Sequence, residues 1–190
     1  MKEYKEDIDK ACQVMRDGGI ILYPTDTIWG IGCDASNSQA VKRIFELKQR
    51  SDSKSMLVLL DSDAKLPYYV PDIPDVAYDL MDMSEKPITI IYDNARRLAP
   101  ELIAQDGSVG IRITKEEFSK ELCRKLGGAV VSTSANVSGQ ASAQNFSEIS
   151  KEILNGVDYI VKYRQNDRSI SKPSSIIKLG SGGLIKIIRE

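Results

Sequence analysis

Five consecutive apolar residues, 56–60, constrain this chain more than any other feature. A strand with one face in water alternates apolar and polar side chains. A strand that is apolar at every position must be covered on both faces, as in layered α/β folds. The flanking sequence supplies the covers. Residues 5–16 place Ile8, Cys12 and Met15 at spacings of four and three, the stripe of an amphipathic helix, and Asp17-Gly18-Gly19 ends it. Helical patterns recur at 38–48, 74–83, 115–126 and 147–154, with Gly127-Gly128 closing the third and Asn155-Gly156 the fourth. Strand patterns appear at 20–23, 88–92, 109–113, 129–132, 159–161, 175–179 and 184–188. Gly180-Ser181-Gly182-Gly183 suits a hairpin between the last two. Helices and strands alternate through most of the length. That predicts one α/β domain over residues 1–190, built on a mixed sheet. Residues 164–173 are polar and basic and read as a mobile loop.

Composition narrows the chemistry. The chain has 190 residues and no histidine. Ser-His-Asp and Cys-His nucleophile schemes and His-ligated metal sites are therefore excluded. Lys, Arg, Asp, hydroxyls and backbone amides must carry any reaction. The net charge of -1 excludes a general nucleic-acid coat, so RNA contact would need a local basic face. Cys12, Cys33 and Cys123 are odd in number and lack metal-ligand spacing, which suits free thiols in a reducing compartment. The first ten residues are charged, with no apolar signal core. No run approaches the roughly 18 apolar residues of a membrane span. A soluble, cytoplasmic protein without membrane contact is expected.

Five stretches could carry chemistry. Tyr23-Pro24-Thr25-Asp26-Thr27, followed by Gly30-Ile31-Gly32, presents hydroxyls and backbone N–H groups at a strand exit. Thr25 or Asp26 could equally cap a helix. Lys48, Arg50 and Lys54 gather three cations at a helix end, either to complement its dipole or to clamp phosphate. Ser132-Thr133-Ser134-Ala135-Asn136 and Ser138-Gly139 crowd another strand exit, where ligands bind in open α/β sheets; Ser/Thr turns in a solvent loop would look the same. Arg112 interrupts an apolar strand. A buried charge needs a partner, either a ligand carboxylate or an internal Asp or Glu. Ser174 and Arg189 stand near the end of the chain, where each alone would be unremarked.

Together, in this order, these stretches resemble the YrdC/TsaC family of threonylcarbamoyl-AMP synthases. YPTDTIWGIG is similar to the family's opening segment. KQR and SAN resemble its paired KxR and SxN motifs, and IRI, STSANVSG and SSII follow at suitable distances. The resemblance implies a twisted mixed sheet with flanking helices around a concave basic cavity. It implies a nucleotidyltransferase that makes threonylcarbamoyl-adenylate and pyrophosphate from L-threonine, bicarbonate or carbon dioxide, and ATP, for tRNA modification. Lys48 and Arg50 would be catalytic. Thr27, Arg112, Ser134 and Ser174 would bind threonine. Arg50, Lys54, Ser108, Asn136 and Arg189 would bind ATP. Mg2+ would arrive with the triphosphate, with no protein metal site. Proteins that transfer the threonylcarbamoyl group to tRNA are implied partners.

The chain departs from the family pattern at Ser51, Glu85-Lys86-Pro87, Leu59 and Gln144, where proline, Pro-Gly-Pro, an imidazole and threonine are usual. A paralogue with a changed substrate is one alternative. A double-stranded RNA or tRNA module is another, with Lys42, Arg43, Lys48, Arg50 and Lys54 lining its face.

Overall fold

The structure is a computed structural model that describes residues 4–49, 56–170, 172–180 and 184–190. Helix α1 (Lys5–Arg16) leads into the antiparallel pair β1 (Ile21–Tyr23) and β2 (Gly30–Gly32). Then come α2 (Ser38–Leu47), β3 (Leu57–Leu60), α3 (Leu66–Tyr69), α4 (Asp75–Met83), β4 (Ile88–Tyr92), β5 (Val109–Ile113) and α5 (Glu117–Leu126). The chain continues through β6 (Val130–Ser134), α6 (Lys151–Gly156), β7 (Tyr159–Ile160), β8 (Ser175–Leu179) and β9 (Ile185–Arg189). Among the described residues one sheet forms, ordered β7-β1-β2-β6-β3-β5-β4-β8-β9. The pairs β1–β7, β3–β5 and β4–β8 are parallel and the other neighbours antiparallel, so the sheet is mixed as expected.

The period of two along each strand sends alternate residues into two cores. Val58, Leu60, Ile90, Ile111, Val131 and Ile177 pack on one face with Val41, Ile44 and Phe45 of α2. Each such apolar side chain stabilises the fold by about 1.5–3 kcal/mol. Ile21, Tyr23, Leu59 and Val130 occupy the other face under α1 and α5. Farther along the same strands that second face passes beyond the helices. There it carries Leu57, Gly110, Arg112, Ser132 and Ser134, which line a cavity.

Several expectations are corrected. No helix follows Thr25 or Asp26; residues 24–29 form the turn between β1 and β2, so the capping reading fails. Gly30-Ile31-Gly32 is a strand. A Cβ on Gly32 would meet the Val131 carbonyl oxygen at 2.6 Å and the Tyr23 ring at 2.7 Å, so its glycine serves close packing. The helix expected over 115–126 begins at Glu117, because the Glu116 carboxylate caps it, accepting from the N–H groups of Phe118 and Ser119. The helix expected over 147–154 is split into a 3-10 turn, Phe146–Glu148, and α6. Ser150 divides them, its hydroxyl accepting from the Ile153 N–H.

The last strand pair has an irregular register. Ile187 faces Ile177, but Arg189 faces Ile176, so one extra residue lies on β9. A bulge of this kind re-aims a side chain. Here it puts Arg189, in place of Ile188, on the side of the cavity.

Candidate active site

The cavity holds about 330 Å³. Its floor is the uncovered part of the sheet. Ser108 and Arg112 come from β5 and its lead-in, Thr89 from β4, Ser132 and Ser134 from β6, and Ser174 from the lead-in to β8. The β1–β2 turn forms one wall with Thr27 and Trp29. Among the described lining residues are two guanidiniums, Arg112 and Arg189, and no carboxylate.

The hydroxyls are held in place. The Thr25 hydroxyl donates to the Ile28 carbonyl at 2.8 Å and accepts from the Thr27 N–H at 3.1 Å, which fixes the turn that presents Thr27. The Thr89 and Ser174 hydroxyls are buried and 2.8 Å apart. The Ser174 carbonyl accepts from Nε and Nη2 of Arg189 at 3.0 and 2.8 Å. The Ser108 hydroxyl donates to Asp106 at 2.6 Å. Lys178, at 2.7 Å from Asp106, together with Ser108 keeps that carboxyl well below the usual range.

Arg112 is 3 % exposed. Its Nη2 lies 3.0 Å from Asp26 Oδ1, an internal carboxylate partner. The contact is ionic but off the hydrogen-bonding direction, because that oxygen and the Arg112 Nε both lack a hydrogen-bond partner. Burial pushes the Asp26 carboxyl upward; the opposing pull of Arg112 is smaller. Partial desolvation of its guanidinium at the cavity, followed by repulsion from Arg112, draws Arg189 below the ordinary guanidinium value. An anion between the two arginines would relieve that repulsion.

Thr27, Ser108, Arg112, Ser134, Ser174 and Arg189 thus share one cavity. Lys48 and Asn136 do not line it. Lys48 is 1 % exposed and lies behind the β6 exit, where its Nζ donates to the carbonyls of Ser134 and Asn136. Its own carbonyl accepts from the Ser138 N–H at 2.8 Å. The Asn136 amide donates to the Val137 and Gln140 carbonyls. Arg50, Ser51 and Lys54 lie outside the described residues. Among the other departures, Leu59 is buried beneath α1 and α5, and Gln144 is exposed. Ser132, Thr133 and Trp29, from stretches already singled out, line the cavity without an individual role having been assigned, and Thr89 lines it from outside every stretch named. The one aliphatic hydroxyl in the run Ile88–Tyr92 was the available signal for Thr89.

Of the proposed RNA face, Lys42, Arg43 and Lys48 lie among the described residues, and each has a partner there or is buried. Arg43 forks onto Asp158 at 2.9 and 3.0 Å, Lys42 is 3.3 Å from Glu101, and Lys48 is buried. No group of three or more His, Cys, Asp or Glu suited to a metal gathers among the described residues. Nor is any described helix long and apolar enough to cross a membrane.

The family described as Sua5_yciO_yrdC, telomere recombination, matches residues 13–190. The chain belongs to this family. Its relatives include the threonylcarbamoyl-AMP synthase of Thiobacillus denitrificans, 34% identical over 173 residues that cover 90% of each chain. That of Idiomarina loihiensis is 32% identical over 162 residues, 84% of this chain and 86% of its own. The crystal structure of P. abyssi Sua5 complexed with L-threonine shares the fold, with a TM-score of 0.85 at 23% identity. The match covers 97% of this chain and 54% of that one.

Proposed function

We propose that this chain is a threonylcarbamoyl-AMP synthase, a nucleotidyltransferase that joins L-threonine, bicarbonate and ATP in the cavity beside Arg112. One observation carries the reading: a guanidinium 3 % exposed on the cavity wall, its Nε–H without a partner, among the hydroxyls of Thr27, Ser134 and Ser174. A guanidinium edge matches a carboxylate, and nearby hydroxyls suit an amino acid that carries its own. The names of the relatives support the same substrate.

The threonine amine attacks bicarbonate carbon, giving a carbamate and water. A carbamate oxygen then attacks the α-phosphorus of ATP, and the bond to the departing pyrophosphate breaks. Threonylcarbamoyl-adenylate remains. Such a step needs alignment and positive charge over the phosphates, with little covalent help, so the absence of histidine is no obstacle. Holding carbamate and ATP together supplies as much as roughly 7–11 kcal/mol. Arg112 orients threonine, and Arg189 faces the developing phosphate charge. Arg50 and Lys54, by their likeness to the family motif, are the further cations proposed for the phosphates. Lys48 shapes the Ser134–Asn136 turn from behind. The cavity's hydroxyls and guanidiniums are not an all-protein cage for a metal; Mg2+ carried by the triphosphate would supply charge shielding there. The product passes to proteins that modify tRNA. Three buried, unpaired cysteines suit a reducing, cytoplasmic setting.

The test is pyrophosphate release from ATP. Release that requires both threonine and bicarbonate supports the synthase. Release without threonine points to a paralogue with another substrate, and no release refutes the reading.

A further inference from the structure

The Arg112–Asp26 pair spans the wall between two cavities. Arg112 lines the first. Asp26 lines a second, of about 700 Å³, on the opposite side of the pair. The contact uses one nitrogen, Nη2, and leaves the guanidinium's Nε edge unmatched. It also leaves Asp26 Oδ1 without a hydrogen bond. A strong Arg–carboxylate pair is bidentate, with two parallel bonds. This pair is therefore close and buried, yet poorly made.

We propose that Asp26 is a positioning residue that competes internally for Arg112: it holds the guanidinium in the free protein and takes up a proton when an amino-acid carboxylate claims the Nε edge. The inference rests on the reading of the cavity as a threonine site and adds a second control to it. Two carboxylates on one guanidinium in a buried wall repel each other, and one of them is driven to protonate. The bound carboxylate makes the better geometry, so the proton goes to Asp26. The threonine carboxylate persists in the adenylate product. Asp26 is thus placed to reclaim Arg112 and loosen the product.

The surroundings of Asp26 favour proton uptake. Burial raises its carboxyl, Arg112 lowers it, Glu116 at the start of α5 raises it, and Arg164 from the loop after β7 lowers it. The second cavity also carries Asp61, Asp63, Asp82 and Glu85, with Lys86, Lys115 and Lys120. Its mouth provides a route for the proton that avoids the substrate side.

The sign follows from linkage. Bound carboxylate raises the Asp26 pKa further, so binding takes up a proton. Affinity is highest below the free-protein pKa and falls as pH rises from that value to the bound value. The slope is at most about tenfold per pH unit. The experiment is calorimetric titration of the whole chain with L-threonine between about pH 5 and pH 7, where a free α-carboxyl and α-amino group keep their charges. L-Threoninol, which lacks the carboxylate, is the comparison ligand. We expect threonine to bind more tightly toward pH 5 with net proton uptake, and threoninol to show no trend. Asp26→Asn should abolish the threonine trend and strengthen threonine binding at pH 7 by roughly tenfold, since a repelling charge is removed. A pH-independent wild type overturns the proposal, as does an equal trend for threoninol or a weakened Asp26→Asn. If that variant does not fold, the wild-type titration still decides. If threonine binds at no pH while ATP does, the substrate reading itself falls.

Discussion

Replacing Lys48 by methionine separates two roles for a residue that the family resemblance sets beside the phosphates. The structure buries its Nζ against the carbonyls of Ser134 and Asn136. Hydrogen bonds from a charged donor contribute about 1.5–3 kcal/mol each. Methionine keeps the aliphatic stem and removes the cost of burying the ammonium, so the net loss is about 2–3 kcal/mol. For a chain of 190 residues this lowers Tm by roughly 4–12 °C. Thermal unfolding without ligand measures it, and ATP titration of the folded variant measures the consequence for the site. We expect a clear loss of Tm with a moderate loss of ATP affinity, because the turn loosens. An unchanged Tm with abolished ATP binding would refute the reasoning and make Lys48 a direct phosphate ligand.

Thr89→Val removes one hydroxyl of the buried Thr89–Ser174 pair and keeps the shape; threonine affinity should fall several-fold, with ATP binding little changed by calorimetry, and equal losses would place Thr89 outside the threonine subsite. Arg43→Ala breaks a surface pair with Asp158 that is 43% and 40% exposed on its two sides; stability should change by less than about 1 kcal/mol in denaturant, and a larger change would give the pair a structural role. Acid should destabilise the fold. Asp167, held near a pKa of about 2 by Ser169 and Arg164, and Asp158, lowered by Arg43, have folded values below their unfolded ones. Their contribution is present above the unfolded value of about 3.9 and is lost as pH falls through the folded ones. A melting temperature that rises below pH 4 would contradict this.

The strands were legible because four-to-five-residue apolar runs flanked by helical stripes have few other uses. β4, β5 and β8 begin and end where the pattern does. β2 was not, because Gly-Ile-Gly has no alternation and owes its strand to antiparallel neighbours on both sides. The short α3 likewise depends on packing, with Leu66 and Tyr69 buried. In the site, the motifs marked which strand ends converge, and six of the expected side chains meet there. The motifs carried no information on which face each residue takes. Lys48 was grouped with Arg50 by proximity, but its position after the last turn of α2 directs it behind the wall. Asp26 stood within the opening motif, yet only the fold brings β5 and its arginine to it.

The bulge that turns Arg189 toward the cavity sits on the strand at the margin of the sheet. Among the described strands β9 is held by one ladder, to β8, and all five of its residues are exposed. Margins of this kind open locally at far less than the global unfolding free energy. Whenever β9 peels away, the cavity loses one of its two guanidiniums, and the affinity for an anion is discounted by the fraction of time the strand is unzipped. Anion affinity of the cavity and amide-exchange protection of β9 should therefore move together.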